Sequence, residues 1–273
     1  MSEIQVRLFF CQLLFVVLFY AIAVVGSFFR LKKIGLSEGN FFEAFALAGF
    51  CWHTGSLAIA AFNMGRLPLG NAYELMIAVA WAMMFAGVLA YPFLKLRVAP
   101  TLLTLTVIVL TVLPLFCPAF SAGMMKESAV TVNYAFIHAM LAIAAYALLG
   151  VSFIFALMYV LQMRSLKHRG RDALSRSLLP LPKLFSFEKF FLAMACAAMA
   201  ISLIIGAVAA VGLEMNVAYL IKFSIGALLF ALMLGLLLFS LKKDFDSAAF
   251  SKLIVLLFIF AVLLIVPISI RSL

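Results

Sequence analysis

The chain has 273 residues, of which 68% are hydrophobic and 11% are charged, and it carries a formal net charge of +10. An ordinary soluble domain is about 45–50% apolar and about 25% charged, so this composition excludes a water-soluble fold and predicts a membrane protein. The positive charge is spread over the polar loops between apolar runs, a pattern that membrane topology explains without nucleic-acid binding.

Eight apolar runs approach the length of about 20 residues that a membrane-spanning helix needs. The predicted fold is therefore all-α, a polytopic membrane protein with about eight transmembrane helices. We expect one integral membrane domain over residues 1–273. The predicted spans are residues 8–29, 41–62, 72–94, 101–117, 132–162, 190–212, 217–240 and 253–270.

The basic residues predict the orientation, because short loops rich in Lys and Arg stay on the cytoplasmic side. Placing both termini on the outer (periplasmic) side puts fifteen of the 20 Lys and Arg residues in inner loops. Only Arg7, Arg66, Lys126 and Arg271 then lie outside, and Lys222 lies within a span. We expect a multi-pass protein of the bacterial inner (plasma) membrane, with a plastid membrane left open.

The polar stretch GRLPLGNAYE, residues 65–74, separates the second and third spans. Asn71 and Glu74 have the N-x-x-E spacing of a helix N-cap with a reciprocal acidic partner. Arg66 is not explained by capping and is expected on the outer face. It is a candidate for neutralising an anionic group of a cofactor there.

Two histidines lie inside spans, His53 in GFCWHTGSLAI and His138 in VNYAFIHAMLAIAAYALL. From the outer ends of their spans, His53 is about 14 Å deep and His138 about 10 Å deep at 1.5 Å per residue. Two imidazoles at one level can hold a metal ion or the iron of a haem. Hydrogen bonding of each histidine to a neighbouring helix is the alternative. His168, in the basic loop KHRGR, is predicted to be solvated.

Two further residues complete the candidate site. Tyr146 lies two turns after His138, beyond a face of small residues that permits either close helix packing or a flat macrocycle. Lys222, in NVAYLIKFSIG, is predicted about 8 Å inside its span, where it either extends to the interface or meets an anion. No hydrolase or nucleotide-binding motif is found in a meaningful context, so no bond-making step is assigned and no enzyme activity is expected.

Two segments resemble the membrane proteins of cytochrome c assembly, the CcsA, ResC and HemX kind. The first is HTGSLAIAAFNMGRLPLGNAYELMIAVAW, with a His, a loop holding Arg, Pro and Asn-x-Tyr-Glu, and a Trp in the next span. The second is FIHAMLAIAAYALLGVSFIFALMYVLQMRSLK, where a Tyr follows the His by eight residues and a basic loop comes next.

The resemblance implies a haem-binding or haem-handling protein of cytochrome c biogenesis, with His53 and His138 as ligands of haem iron. Arg66 or Lys222 would neutralise haem propionates, and Tyr146 would lie near the macrocycle. The implied partners are haem, the lipid bilayer and a second cytochrome c assembly membrane protein, and the chain would be at most one component of a haem-attachment complex.

The haem-delivering branch of that family carries the outer segment W-G-x-x-W-x-W-D-P-K-E. The corresponding stretch here, GAVAAVGLEMNVAYLIKFSIG, contains no Trp, and no His follows His168. This departure favours an alternative, a HemX-like membrane regulator or partner of a tetrapyrrole-synthesis enzyme without haem delivery.

Overall fold

The computed structural model describes residues 3–31, 41–94, 98–116, 134–167, 178–210, 217–241 and 246–270. Eight α-helices account for nearly all of these residues, and no strand occurs among them. The helices are α1 Glu3–Leu31, α2 Phe41–Met64, α3 Ala72–Leu94, α4 Ala99–Leu115, α5 Tyr134–Lys167, α6 Leu181–Ala210, α7 Val217–Phe239 and α8 Ser247–Ile270. The predicted all-α class is confirmed. His168, predicted to be solvated, lies outside the described residues.

Seven of these helices are long and apolar enough to cross a bilayer. The remaining one, α4, is apolar but has 17 residues. Large apolar side chains are exposed on the helices, for example Phe62 at 88% and Leu256 at 61%. A soluble protein rarely exposes apolar surface on this scale. The chain is therefore a multi-pass membrane protein whose outward helix faces suit lipid.

The helices divide into two compact units. The first comprises Met1–Glu127 and Gln162–Leu179, and the second comprises Ser128–Leu161 and Pro180–Leu273. The prediction of a single domain over residues 1–273 stays a prediction.

In the first unit, α1 packs along α2 and α4, and α3 packs against α4. At one end of this unit the start of α1, the end of α2 and the start of α3 share an apolar cluster that includes Leu13, Ala60 and Ile77. Leu115, at the end of α4, packs against the same cluster. This cluster holds the loop between α2 and α3 against the helix bundle.

In the second unit, α5, α6 and α8 are joined by stacked aromatic rings. Phe155 on α5 stacks on Phe191 of α6, with ring centroids 5.5 Å apart, and Phe153 stacks on Phe258 of α8 at 4.6 Å. Helix α7 packs mainly on α6. These contacts bring polar residues of α5, α6 and α8 together.

Candidate functional site

The loop between α2 and α3 ends one helix and caps the next. Gly65 follows α2 with a φ of 64°, a left-handed conformation that glycine adopts without a steric penalty. The Asn71 side-chain oxygen accepts a hydrogen bond of 2.8 Å from the backbone N–H of Glu74. Asn71 is therefore the N-cap of α3, as its spacing from Glu74 predicted.

Arg66 forms a buried ion pair with Glu74. The two guanidinium nitrogens donate to the two carboxylate oxygens at 2.9 and 3.2 Å. The Arg66 side chain is 5% exposed and that of Glu74 is fully buried. The backbone N–H of Gly70 and the side-chain amide of Asn71 donate to the same carboxylate at 2.7 and 3.0 Å. The loop thus satisfies its own charges.

The ion pair explains why an arginine occupies position 66, which helix capping alone does not explain. The arginine neutralises the carboxylate that closes the cap, and a Cβ at Gly70 would lie 3.0 Å from the guanidinium nitrogens. In the usual capping box the acidic residue would return to the N-cap N–H. Here the Glu74 carboxylate instead accepts hydrogen bonds from the N–H of Gly70, the residue before the N-cap, and from the Arg66 guanidinium. A contact between Arg66 and a haem propionate stays a prediction.

His53 is fully buried in the first unit, and neither ring nitrogen has a hydrogen-bond partner among the described residues. Its neighbours along α2 do have partners. Ser56 donates to the carbonyl of Trp52 at 2.8 Å, and the Thr54 hydroxyl accepts a bond of 2.9 Å from the Trp81 indole N–H. Of His53, Thr54 and Ser56, only His53 has a side chain without a hydrogen-bond partner among the described residues.

Tyr20 of α1 lies beside His53 and also has a buried polar group without a hydrogen-bond partner among the described residues. The two rings meet edge to face with centroids 6.3 Å apart. Tyr20 is fully buried, and its hydroxyl has no partner within the described part of the chain. A Cβ at Gly49, one turn before His53, would lie 2.7 Å from the Tyr20 ring, so the glycine makes room for the phenol.

Unpaired buried polar groups are costly, at about 1–3 kcal/mol each. Tyr20 and His53 place two of them side by side in the bundle of α1 and α2. A bound group that accepts from the phenol or binds the imidazole would recover that cost. The pair is thus the strongest candidate for a binding site in the first unit.

His138 belongs to the second unit and is hydrogen-bonded to Ser202 of α6. Its Nδ1 lies 2.7 Å from the Ser202 carbonyl oxygen and 3.0 Å from the Ser202 hydroxyl oxygen. The same hydroxyl donates to the His138 carbonyl at 3.0 Å. Backbone and side chain of the two residues therefore hold α5 and α6 together.

The Ser202 contact determines the tautomer of His138. A carbonyl oxygen only accepts hydrogen bonds, so Nδ1 carries the proton and donates it. The lone pair of the neutral ring then lies on Nε2. Metal-binding histidines commonly have this arrangement, with the second ring N–H donated to a backbone carbonyl.

Gly206, one turn after Ser202, makes room for the His138 ring. A Cβ at this position would lie 2.7 Å from Nδ1 and 2.9 Å from the neighbouring ring carbon. Any larger residue would displace the imidazole from the Ser202 carbonyl. The pair of Ser202 and Gly206 thus fixes the position of the ring.

Tyr146 and Lys222 occupy different environments. Tyr146 is 8% exposed on α5, two turns after His138, and the intervening Ala145 is fully buried. This agrees with close packing of the small-residue face. Lys222 is exposed on α7. The predicted roles of both residues toward haem stay predictions.

The structure brings together Arg66 with Glu74, His53 with Tyr20, and His138 with Ser202. His53 and His138 themselves belong to different units. No group of three or more His, Cys, Asp or Glu side chains able to hold a metal ion is found among the described residues. The described contacts of each histidine lie within its own unit.

Sequence reasoning missed Tyr20, Ser202 and Glu188. Glu188 stood outside the predicted sixth span, although its spacing of four from Leu184 and from Leu192 places it on the buried face of α6. That spacing was a readable signal. Tyr20 and Ser202 carry no such signal, because their importance comes from a partner on another helix.

No known family model and no curated protein matches this chain.

Proposed function

We propose that the chain is a haem-binding or haem-handling membrane protein of cytochrome c biogenesis, holding haem through intramembrane histidines. The observation that carries the proposal is the hydrogen bond of 2.7 Å from His138 Nδ1 to the Ser202 carbonyl. It leaves the Nε2 lone pair for a metal and fixes the ring orientation. The sequence resemblance to cytochrome c assembly proteins supports the choice of haem.

The residues present fit that group. His138 offers Nε2 as a ligand, and His53 offers an imidazole without a partner in an apolar setting. Haem would supply an iron that accepts an imidazole ligand. The chain itself would bind and orient the group: His53 is fully buried in the first unit, and Ser202 holds the ring of His138 in the second.

The test is a visible spectrum of the full-length protein purified from haem-replete membranes. The proposal predicts a Soret band that weakens in His53→Ala and in His138→Ala and is lost in the double variant. A matched control is Ser56→Ala, one turn after His53 on the same helix. A protein with no Soret band, or with a band unchanged in the double variant, would rule out ligation by these residues.

The proposed location is the bacterial inner membrane, with both termini on the outer side and a second cytochrome c assembly membrane protein as partner. The distribution of Lys and Arg supports this orientation. Under it, the start of α3 with its buried ion pair lies at the outer face.

One observation favours a second candidate, a HemX-like regulator or partner of a tetrapyrrole-synthesis enzyme without haem delivery. The stretch of residues 206–226, which corresponds to the tryptophan-rich segment of the haem-delivering branch, contains no Trp. Co-purification separates the two functions. A cytoplasmic biosynthetic enzyme as the bound partner supports regulation, and an outer-facing assembly protein supports delivery.

A further inference from the structure

Glu188 is a fully buried carboxyl group near the start of α6, seven residues after the helix begins. It lies on the buried face of the helix with Leu184, Leu192, Ala195 and Cys196. Acidic residues within apolar helices are rare and commonly mark a path for protons or ions. The haem proposal does not use this residue.

The two carboxyl oxygens of Glu188 differ in their contacts. Oε2 accepts a hydrogen bond of 2.8 Å from the Ser251 hydroxyl of α8. Oε1 is buried and has no hydrogen-bond partner among the described residues. The backbone carbonyl of Glu188 accepts a bond of 2.9 Å from Ser152 of α5. Three helices therefore enclose a carboxyl group that has one unoccupied oxygen.

No cation pairs with this carboxyl in the described part of the structure. Lys189, the next residue, points elsewhere, with its Nζ 5.0 Å from the centroid of the Phe185 ring. The other charged groups on the described helices of this unit and on the last turn of α5 are all exposed, namely Arg164, Lys167, Lys183, Lys222, Asp246 and Lys252. The remaining titratable groups on these helices are Tyr134, His138, Tyr146 and Tyr159 on α5, Cys196 on α6 and Tyr219 on α7.

The carboxyl group of Glu74 has different surroundings from that of Glu188. That carboxylate is equally buried, but it receives hydrogen bonds from Arg66, Gly70 and Asn71. Glu74 thus has what a buried anion requires, namely a cation and several donors. Glu188 has one hydroxyl donor and no cation, so a proton on Oε1 is the simplest way to neutralise it.

Several polar groups lie between Glu188 and the start of α8. Ser251 Oγ lies 3.1 Å from the carbonyl oxygen of Ser247, one turn earlier. The Ser247 hydroxyl lies 2.7 Å from the Tyr159 hydroxyl. Asp246, directly before Ser247, is exposed and caps α8 through the N–H of Ala248 at 2.8 Å. Polar atoms thus line a route from the buried carboxyl toward an exposed helix end.

We propose that Glu188 is an intramembrane proton-binding site, at which the carboxylate takes up one proton from the aqueous phase and releases it again. Oε1 receives the proton, Ser251 holds the other oxygen, and the hydroxyls of Ser247 and Tyr159 lie on the route to water. The site stands on the contacts of α5, α6 and α8 alone, so it holds whether or not the chain binds haem.

Infrared difference spectroscopy of the full-length protein in lipid bilayers tests this site. Between about pH 5 and about pH 9, the range in which buried carboxyl groups are known to titrate, we expect a carboxylic-acid C=O band that loses intensity reversibly as the pH rises. Glu188→Gln removes that band, and Glu3→Gln, at an exposed position, leaves it unchanged. Ser251→Ala keeps the carboxyl but removes its hydrogen bond, so the band shifts to higher frequency.

A second readout uses dicyclohexylcarbodiimide, which reacts with protonated carboxyl groups in apolar surroundings. Peptide mass mapping of the wild-type protein should find Glu188 modified at low pH and protected at high pH. Glu74 serves as the internal control and should stay unmodified at both. This readout requires no variant and does not depend on the folding of Glu188→Gln.

Two results would overturn the proposal. The first is a spectrum without a pH-dependent carboxylic-acid band, or with a band that neither Glu188→Gln removes nor Ser251→Ala shifts. The second is a carboxylate signal at Glu188 that responds to sodium or potassium and not to pH, which would make it a metal-cation site.

Discussion

At the scale of single residues, the structure separates polar side chains that are satisfied from those that are not. Glu74 and His138 have partners that fix their charge or tautomer. His53 and Tyr20 are fully buried and have none among the described residues. In a membrane protein the missing partner cannot be bulk water. Such side chains are therefore where a ligand or proton is to be sought.

The two tyrosines Tyr20 and Tyr159 allow this reasoning to be tested without a ligand. Tyr20→Phe removes a buried hydroxyl that has no partner, so the haem-free protein should gain stability by about 1 kcal/mol. Tyr159→Phe removes a hydroxyl bonded to Ser247 at 2.7 Å and should lose about 1 kcal/mol. Thermal unfolding in one detergent measures both. Equal losses in the two variants would show that the Tyr20 hydroxyl has a partner in solution.

Gly206 tests the positioning of His138. In Gly206→Ala the new Cβ would lie 2.7 Å from Nδ1, so the ring must leave the Ser202 carbonyl. Loss of such an outer partner costs about 10–100-fold in metal affinity, and we expect haem titrations to show a loss in this range. Gly235→Ala on α7 is the control, because a Cβ there would have no atom within 4 Å apart from its own stretch of helix. Equal affinities for the two variants would show that His138 needs no fixed orientation.

Some of these residues could be predicted from the sequence, and their pairings could not. His53, His138, Asn71 and Glu74 stand out because polar groups are rare in apolar runs. The sequence did not predict the pairing of Arg66 with Glu74, although both lie within ten residues of each other. An ion pair depends on how the loop folds back, and that follows from the left-handed Gly65 and the close approach at Gly70.

At the scale of helices, apolar runs predicted the existence and order of all eight elements. The ends were less accurate. Helix α6 begins at Leu181, nine residues before the predicted span at residue 190. An apolar run measures the part that suits lipid, whereas a helix continues until its hydrogen bonding or capping ends it. Pro182 is compatible with this start, since proline is tolerated in the first turn of a helix.

The start of α3 gives a prediction at this scale. Glu74→Ala leaves the Arg66 guanidinium buried without its carboxylate and removes the side-chain part of the cap, so it should destabilise the protein by about 3 kcal/mol. The double variant Arg66→Met, Glu74→Met removes both charges and should cost less than Glu74→Ala. Melting temperatures in detergent provide the comparison.

The pair of Arg7 and Glu3 is the control for that experiment. It has a short N–O distance of 2.6 Å, but its side chains are 78% and 66% exposed. Exposed pairs of this kind contribute little, so Glu3→Ala should leave the melting temperature nearly unchanged. If Glu3→Ala and Glu74→Ala had equal effects, burial would not be what makes the Arg66 pair important.

At the scale of the whole molecule, His53 and His138 belong to different units, and the sequence did not predict this division. Their similar depths came from counting residues along single helices. Which helices pack together depends on contacts such as Phe155 with Phe191, which no periodicity identifies. The sequence therefore indicated candidate ligands, but not the partners Tyr20 and Ser202 that define their surroundings.

The number of membrane crossings depends on α4. Its 17 residues reach about 25 Å at 1.5 Å per residue, slightly less than the hydrocarbon thickness of about 30 Å. Its buried face, with Val107, Leu110 and Thr111, packs along the bundle of the first unit. If α4 crosses with the seven longer helices, the number of crossings is even and the two termini lie on one side.

Topology reporters decide between an even and an odd number of crossings. With both termini outside, alkaline phosphatase fused after Leu273 should be active in a bacterial host, and green fluorescent protein at the same position should stay dark. A fusion in the basic loop after Lys167 should show the reverse, because Lys- and Arg-rich loops remain in the cytoplasm. An inactive phosphatase and a fluorescent green fluorescent protein at the C-terminus, with the loop result unchanged, would mean that one of α6 to α8 fails to cross. Helix α4 precedes this loop, so a reporter at the N-terminus tests it. With the loop in the cytoplasm, an N-terminus that is also cytoplasmic would mean that one of α1 to α5 fails to cross, and α4 is the shortest of the eight described helices.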